Sequence, residues 1–370
     1  MNFKIFKMRN YYYLLSCLLF SISIIGCYSD KLKNDYVLVN FTEKKSGSYE
    51  EYFHIIDKIP INKASDTTNA RIFPVTRVFK ITNNSTFIVF SRNVETKEVK
   101  IFKINNHGEI ISNFGSLNPM YNLIGVVDLK VNNDTIYLLD YFRGEIRVYN
   151  SEFLHITDLK TPYNYSRFAL LNSAFYVFDS DGSLNGASDN HEFLLYNNSS
   201  NLTHSFLKVN SNPNLQVGII AESFSNLHEN TLYFVRQHDP NIYSVDKNGF
   251  NIYLNLKFEP NNFVTLNNVG NLTEVDELIS KENGIFRLFC LNKYENGICF
   301  FTFSSTLNER YFINVINNKS SVYKIQDNVF AHLPLNSLGP GIFTVYVENN
   351  DNNIGSDFIL VLKLKEHLMK

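Results

Sequence analysis

Residues 133–150 read NDTIYLLDYFRGEIRVYN, and this stretch decides the fold. A short aliphatic and aromatic run, residues 136–140, precedes a polar turn and a second run, residues 145–150, that ends in Asn. Branched and aromatic residues favour β-strands, whereas Asp, Asn and Gly favour turns. The stretch therefore predicts two antiparallel strands joined by a turn.

The same pattern recurs six times along the chain. The first strands of the six pairs begin near Phe87, Ile136, Phe175, Leu232, Ile298 and Phe343. The second strands cover residues 99–105, 145–150, 192–196, 241–246, 311–317 and 358–364. Successive starts are about 51 residues apart, a spacing typical of four-stranded propeller blades with their loops. We predict an all-β fold, a six-bladed β-propeller with four-stranded antiparallel blades, in which residues 52–61 complete the last blade.

Two β-sandwich domains are the alternative, because about 340 mature residues exceed the usual length of one domain. However, no linker rich in Pro, Gly or Ser divides the chain, and the repeat continues through the point where a boundary would fall. A propeller closes radially and can hold this length as one domain. The repeat therefore favours the propeller.

The motifs themselves resemble those of the six-bladed β-propeller lipoproteins of Bacteroidetes-type bacteria, distant relatives of NHL-repeat propellers. The resemblance covers about residues 50–365 and is carried by residues 133–150, by residues 234–249 and by residues 295–301. Residues 115–121 depart from it, since they lack two glycines and the Glu of the family's glycine-rich turn. The resemblance implies a propeller at the cell envelope.

The N-terminus has the features of a bacterial lipoprotein signal. Three basic residues precede an uncharged apolar run, residues 11–25, which is too short for a membrane-spanning helix and ends at Gly26 and Cys27. This end resembles a lipobox, so we expect residues 1–26 to be the signal peptide and Cys27 to be lipidated. Residues 27–50 would be a tether and residues 51–370 the propeller. An ordinary cleaved signal and an uncleaved anchor are the alternatives.

The charge balance argues against a nucleic-acid partner, and the residue after Cys27 favours sorting to the outer membrane. The chain has 34 basic and 36 acidic residues, and loss of the signal would leave a net charge of −5. No basic excess exists that would suit a nucleic acid, so we expect no nucleic-acid partner. The residue after Cys27 is Tyr28, whereas Asp at this position favours retention in the inner membrane. Whether the protein faces the periplasm or the cell surface stays open.

Two cysteines, Cys290 and Cys299, remain once the signal and the lipidated cysteine are set aside. They lie on two apolar runs around an Asn-Gly turn signal. One register of this hairpin would place the two cysteines opposite each other and allow a disulfide, and another would not. Two buried free thiols are the alternative.

The loops that follow the first strand of each pair are the default binding surface of such a propeller. Charged and aromatic side chains in them could bind a glycan, a peptide or a partner protein, although each one is more often a turn or solvent residue. The candidate ligand-binding residues are Arg92, Asp140, Tyr141, Arg143, Asp179, Arg236, His238, Asp239 and Arg310.

The sequence contains no recognisable catalytic or metal-binding motif, and we expect no cofactor. The leading hypothesis is a lipid-anchored, non-catalytic binding module in the cell envelope. The alternative is a propeller hydrolase or lyase with acidic or His residues lining the channel and a divalent metal, because such a site can be assembled from different blades. A scaffold that organises other envelope proteins is the third hypothesis.

Overall fold

The strands that the sequence predicts belong to six sheets in the computed structural model, and the predicted strands pair antiparallel within them. The structure describes residues 36–61, 75–81, 86–92, 99–114, 123, 125–161, 165, 167–172, 175–179, 191–197, 199–208, 223–236, 239–260, 277, 285–304, 309–326, 336–347 and 357–370. Residues 37–370 form one compact unit. Of the preceding unit, residues 1–36, only Tyr36 is described.

The strands are, in chain order, β1 (Tyr36–Asn40), β2 (Lys45–Gly47), β3 (Phe53–Pro60), β4 (Val75–Lys80), β5 (Thr86–Arg92), β6 (Val99–Asn105), β7 (Ile110–Phe114), β8 (Val126–Asn132), β9 (Thr135–Asp140), β10 (Glu145–Asn150), β11 (His155–Lys160), β12 (Arg167–Asn172), β13 (Phe175–Asp179), β14 (His191–Asn197), β15 (Leu202–Lys208), β16 (Leu232–Val235), β17 (Asn241–Asp246), β18 (Gly249–Glu259), β19 (Ile285–Tyr294), β20 (Gly297–Ser304), β21 (Glu309–Ile316), β22 (Lys319–Ile325), β23 (Asn336–Gly339), β24 (Ile342–Val347) and β25 (Phe358–Leu364). Within the described residues, a short helix, α1 (Tyr49–Tyr52), and 3-10 turns at Phe41–Glu43 and Glu366–Leu368 accompany them.

Each sheet is one blade of a six-bladed β-propeller, as the repeat predicts. Blades 1, 2 and 3 contain β4 to β7, β8 to β11 and β12 to β15. Blade 4 contains β16 to β18 with β1, blade 5 contains β19 to β22 with β2, and blade 6 contains β23 to β25 with β3. The innermost strands of neighbouring blades lie side by side around the ring, except in blade 4, where residues 223–228 hold the innermost position through bridges at Phe224–Phe234 and His228–Thr231.

The hydrophobic core is divided into six clusters, each between two neighbouring blades. Strand β9 shows why. Its alternate residues Ile136 and Leu138 pack toward blade 1, whereas Tyr137 and Leu139 pack toward blade 3. Successive strand residues point to opposite faces, so a blade with neighbours on both sides needs an almost continuous apolar strand. Phe and Tyr fill this space without any Trp.

The ring closes between the two ends of the chain. Strand β3 pairs antiparallel with β25, from Pro60 opposite Phe358 to Phe53 opposite Leu364. The N-terminal segment therefore supplies the outer strand of blade 6, which confirms the closure predicted for residues 52–61.

Residues 36–47 correct the predicted domain boundary. They were expected in the tether, but β1 pairs with β18 at the edge of blade 4 and β2 pairs in parallel with β22 at the edge of blade 5. Val37 and Val39 are buried in the core cluster between these blades. The propeller thus includes residues well before 51, and blade 5 has five strands instead of four.

The cysteine pair also differs from the disulfide expectation. The β19–β20 register places Cys299 opposite Asn292, and an irregularity in the pairing between Phe289 and Asn292 takes Cys290 out of direct opposition. Both cysteines are free and buried. Burial, and then the neighbouring Cys290, raise the pKa of the Cys299 thiol. The predicted register that places the two cysteines opposite each other is therefore wrong, because the irregularity shifts the pairing of β19 with β20 between Phe289 and Asn292.

Among the described residues, no helix has the length and apolar character needed to cross a membrane.

Candidate functional site

The second strand of each blade ends where the third begins, and these ends lie on one side of the ring. We call the side that carries Arg92, Asp140 and Arg236 the upper face. The opposite side, which carries the turn residues Asn133 and Asn317, is the lower face. The pairing of Asp140 with both Val126 and Glu145 shows that the first strand starts on the upper face as well.

The turn between β9 and β10, residues 141–144, is held by buried charges. Asp140 is 2% exposed, and its Oδ2 accepts a hydrogen bond of 2.8 Å from Arg147 Nη2. Its Oδ1 accepts one of 3.1 Å from the backbone N–H of Arg143. Glu145, also buried, pairs with Lys160 at 2.5 Å. The base of the turn is therefore fixed by ionic contacts.

Backbone contacts fix the same turn from both sides. The Tyr141 N–H donates to the Gly125 carbonyl at 2.8 Å, and the Thr161 N–H donates to the Gly144 carbonyl at 2.9 Å. A Cβ at position 125 would overlap the Asp140 carboxylate, so only glycine permits this close approach.

An exposed aromatic ring and an exposed guanidinium stand at the tip of this turn. The Phe142 residue is 63% exposed, and the Arg143 side chain is 52% exposed. Arg143 Nε lies 3.7 Å from Asp140 Oδ2, and Arg143 Nη1 lies 3.7 Å from Glu145 Oε1. Both side chains can contact a ligand at little ordering cost, because the backbone beneath them is already fixed.

Charged groups also line the upper ends of the innermost strands. Arg77 Nε of β4 lies 3.9 Å from Asp128 Oδ1 of β8, and both residues are buried. Asp128 Oδ2 accepts a hydrogen bond of 3.2 Å from the Phe168 N–H of β12. Asp128 therefore joins blade 2 to both neighbouring blades.

Arg92 belongs to the same electrostatic environment. Burial lowers the pKa of its guanidinium below the usual range, and Asp128 opposes that shift.

In blade 3, a charged residue at the upper end of the innermost strand again contacts the next blade. The buried Arg167 donates a hydrogen bond to Ser223 Oγ of blade 4 at 3.3 Å. Sequence reasoning did not single out Arg77 or Asp128. The available signal was a charged residue among the first three residues of the innermost strand, repeated in three consecutive blades.

Two candidates in blade 4 make contacts within the protein. Arg236 Nε lies 2.5 Å from Glu192 Oε2 of blade 3. Asp239 Oδ2 accepts a hydrogen bond of 2.5 Å from the Tyr243 hydroxyl, and its Oδ1 accepts one from the Asn241 N–H. Burial, followed by the Asp239 contact, raises the pKa of Tyr243. Arg236 thus links two blades, and Asp239 holds its own turn.

Arg310 lies at the upper end of blade 5, where burial lowers the pKa of its guanidinium. Its neighbour Glu309 pairs with Lys324 and accepts a hydrogen bond from the Tyr311 hydroxyl. Lys44, from the N-terminal segment, lies 3.4 Å from the same carboxylate.

The structure brings Asp140 and Arg143 into contact, and it places Arg92 near Asp128. Arg236 and Asp239 share a turn in blade 4. The Asp179 side chain, His238 and Cys27 lie outside the described residues. Within the described parts of the chain, no group of three His, Cys, Asp or Glu side chains is placed to hold a metal ion.

Solved structures from Bacteroides share this fold. A designated exported protein of Bacteroides fragilis aligns over 90% of this chain and 100% of its own, with a TM-score of 0.65 and 11% identity. A member of the DUF4221 family from Bacteroides vulgatus aligns over 85% of this chain and 98% of its own, with a TM-score of 0.56 and 11% identity.

No protein-family model and no curated protein matches the sequence. The structural similarity confirms, at the level of the fold, the resemblance to propellers of Bacteroidetes-type bacteria.

Proposed function

We propose that this chain is a lipid-anchored propeller of the cell envelope that binds an acidic glycan or peptide on its upper face without chemical turnover. The observation that carries this proposal is the turn at residues 141–144. Its exposed Phe142 and Arg143 stand on a base of buried ion pairs. An aromatic face packs against apolar ligand surface, while a guanidinium binds a carboxylate in a fixed geometry.

The charge around the turn favours an acidic ligand. Asp140 and Glu145 are buried in ion pairs with Arg147 and Lys160, so a ligand would meet mainly the exposed guanidinium of Arg143. Arg92 and Arg310 extend the same face on blades 1 and 5. A partner protein with an acidic segment would use the same contacts.

The envelope location is supported by the N-terminal sequence and by the exported protein of Bacteroides fragilis that shares the fold. Lipidation of Cys27 would hold the propeller at the outer membrane, because two or three acyl chains anchor a protein stably where one does not.

Lipidation is tested by metabolic labelling with an alkyne fatty acid. We expect the natural chain to be labelled, Cys27→Ser to lose the label, and Cys17→Ser to keep it, because Cys17 lies in the apolar part of the signal. Persistent labelling of Cys27→Ser would contradict the anchor.

Ligand binding is tested on arrays of glycans and peptides graded by carboxylate content. We expect Phe142→Ala with Arg143→Ala to lower affinity for the best ligand at least tenfold. The control is Leu154→Ala, a residue with the same 63% exposure on the lower face of the same blade. Equal binding by the double variant and the control would contradict the proposed site. Conversion of the ligand to a new product would support the hydrolase or lyase alternative instead.

A further inference from the structure

A pocket of about 250 Å³ lies at the lower face, inside the ring of innermost strands. Strands of blades 1, 2, 3 and 6 and the segment 224–227 of blade 4 line it. Its residues follow the lower ends of these strands, for example Lys80 at the end of β4 and Asn132 at the end of β8. The pocket is therefore separate from the upper-face turn on which the proposed function depends.

The described residues of the lining carry positive charge. Lys80 and Lys130 both line the pocket, and none of the described lining residues is Asp or Glu. Lys130 Nζ lies 3.6 Å from Asp128 Oδ2, which neutralises part of its charge. Lys80 is exposed, and no hydrogen bond or ion pair within the described residues engages its ammonium group. The described part of the lining thus offers about one uncompensated positive charge.

Several polar side chains of the lining already hydrogen-bond to other parts of the protein, so fewer of them are available to a ligand. The Asn226 side chain exchanges two hydrogen bonds of 2.9 Å with the backbone of Lys293. The Asn336 side chain does the same with the backbone of Val78, at 2.9 and 2.8 Å. The exposed amide of Asn132, in contrast, has no partner within the described residues.

These occupied amides also hold the pocket in shape. Asn226 ties blade 4 to blade 5, and Asn336 ties blade 6 to blade 1. Two walls of the pocket are therefore fixed by pairs of hydrogen bonds before any ligand arrives, and a preformed site loses little free energy to ordering.

Half-buried apolar side chains form the rest of the wall. Phe79, Leu170 and Leu338 come from blades 1, 3 and 6 and face the same cavity. An inorganic ion would leave this surface wet, whereas a molecule with an apolar body would bury it, at about 25 cal/mol per Å².

We propose that the lower-face pocket binds a compact organic monoanion, a carboxylate attached to an apolar body. The carboxylate lies against Lys80 and the Asn132 amide, and the body packs on Phe79, Leu170 and Leu338. A phosphate monoester is a poorer match, because its charge at neutral pH lies between about −1.5 and −2 and the pocket offers only about one free positive charge.

The test uses the full mature chain with Cys27→Ser and a fluorescent reporter. The protein contains no Trp, so Leu338→Trp places a single indole in the pocket wall. The probes are hexanoate and phenylacetate, with hexan-1-ol, 2-phenylethanol and inorganic phosphate for comparison. We expect each carboxylate to change the indole emission of this variant and to bind at least tenfold more tightly than its alcohol. Leu154→Trp, on a turn remote from the pocket, should not respond.

A second variant tests whether Lys80 supplies the positive charge that binds the carboxylate. Calorimetry on Lys80→Met should show at least a tenfold loss of carboxylate affinity, while Lys319→Met, an exposed lysine of the lower face in the β21–β22 hairpin, should bind as the parent does. Any one of four results would overturn the proposal. They are equal affinity for acids and alcohols, unchanged carboxylate affinity in Lys80→Met, a preference for inorganic phosphate, and no binding at millimolar probe.

Discussion

Asp140 shows how a residue in a binding loop can serve the fold instead of the ligand. Its carboxylate is buried and contacts Arg147, the Arg143 backbone and the Arg143 side chain. A buried charge is tolerated only when it is paired and hydrogen-bonded. We therefore assign Asp140 to support of the turn and Arg143, which is half exposed, to the ligand.

Replacing Asp140 should destabilise the protein strongly. Asp140→Ala removes the carboxylate that pairs with the buried Arg147 guanidinium, and we expect the free energy of unfolding to fall by about 3–5 kcal/mol. Asp158→Ala is the control, because Asp158 pairs with His155 in solvent and should cost no more than about 1 kcal/mol. Denaturant unfolding measures both. Equal effects would show that burial does not matter at position 140.

The thiols of Cys290 and Cys299 should be unreactive in the folded protein. Both are fully buried, and burial raises the pKa of Cys299, so little thiolate forms at pH 8. With the Cys27→Ser mature chain, a thiol reagent should label two groups in denaturant and almost none without it. Absence of labelling in denaturant would indicate a disulfide.

Among the structural elements, the innermost strands are joined by asparagine side chains. Asn226, Asn292 and Asn336 each reach the backbone of the next blade, and Asn292 contacts four groups of the β23–β24 hairpin. In blades 1 to 3 the corresponding links use Arg77, Asp128 and Arg167. Amide side chains thus link blade 4 to 5, 5 to 6 and 6 to 1, whereas charged side chains link blade 1 to 2, 2 to 3 and 3 to 4.

Removing one amide link should weaken the interface between two blades. Asn292→Ala removes the acceptor of the Gly341 N–H and the amide donor to the Gly339 and Ile342 carbonyls, and we expect a loss of about 2–4 kcal/mol in unfolding free energy. Asn248→Ala is the matched control, because this asparagine lies in an exposed turn and should change stability by less than about 0.5 kcal/mol. A loss below about 1 kcal/mol for Asn292→Ala would contradict the linking role.

The local sequence pattern predicts the strands better than it predicts the contacts between blades. The repeat identified the paired strands of every blade and the closing strand, because a period of two and turn residues are local properties. It missed β1 and β2, the inner-strand charges and the amide links. Asn226 and Asn292 look like ordinary turn residues until the pairing of distant blades is known. The cysteine register failed for the same reason, since an irregular pairing shifts the strands without a clear sequence signal.

At the scale of the whole molecule, the N-terminal segment borders three consecutive blades. Strands β1, β2 and β3 complete the outer edges of blades 4, 5 and 6, and only β3 joins the two ends of the chain. Phe53 and Ile59 of β3 are buried in two different core clusters.

Deleting the N-terminal strands in two steps should separate the contribution of β1 and β2 to stability from that of β3. A chain that starts at residue 48 lacks β1 and β2, and its melting temperature should be moderately lower. Starting the chain at residue 62 also removes β3, and exposure of Phe53, Ile59 and their partners should cost at least about 4 kcal/mol more. A synthetic peptide of residues 48–61 added to the shorter chain should restore part of the loss. Equal melting temperatures for the two deletions would mean that β3 does not close the ring.

The closing strand also governs when the protein can fold. Strand β3 is made before the strands of blades 1 to 5, whereas its partner β25 is made after them, so the two strands cannot pair until β25 has left the ribosome. Contacts so distant in sequence form slowly, and an unpaired strand edge is prone to aggregation. The first blades can form as they emerge, but the ring cannot close until β25 has emerged.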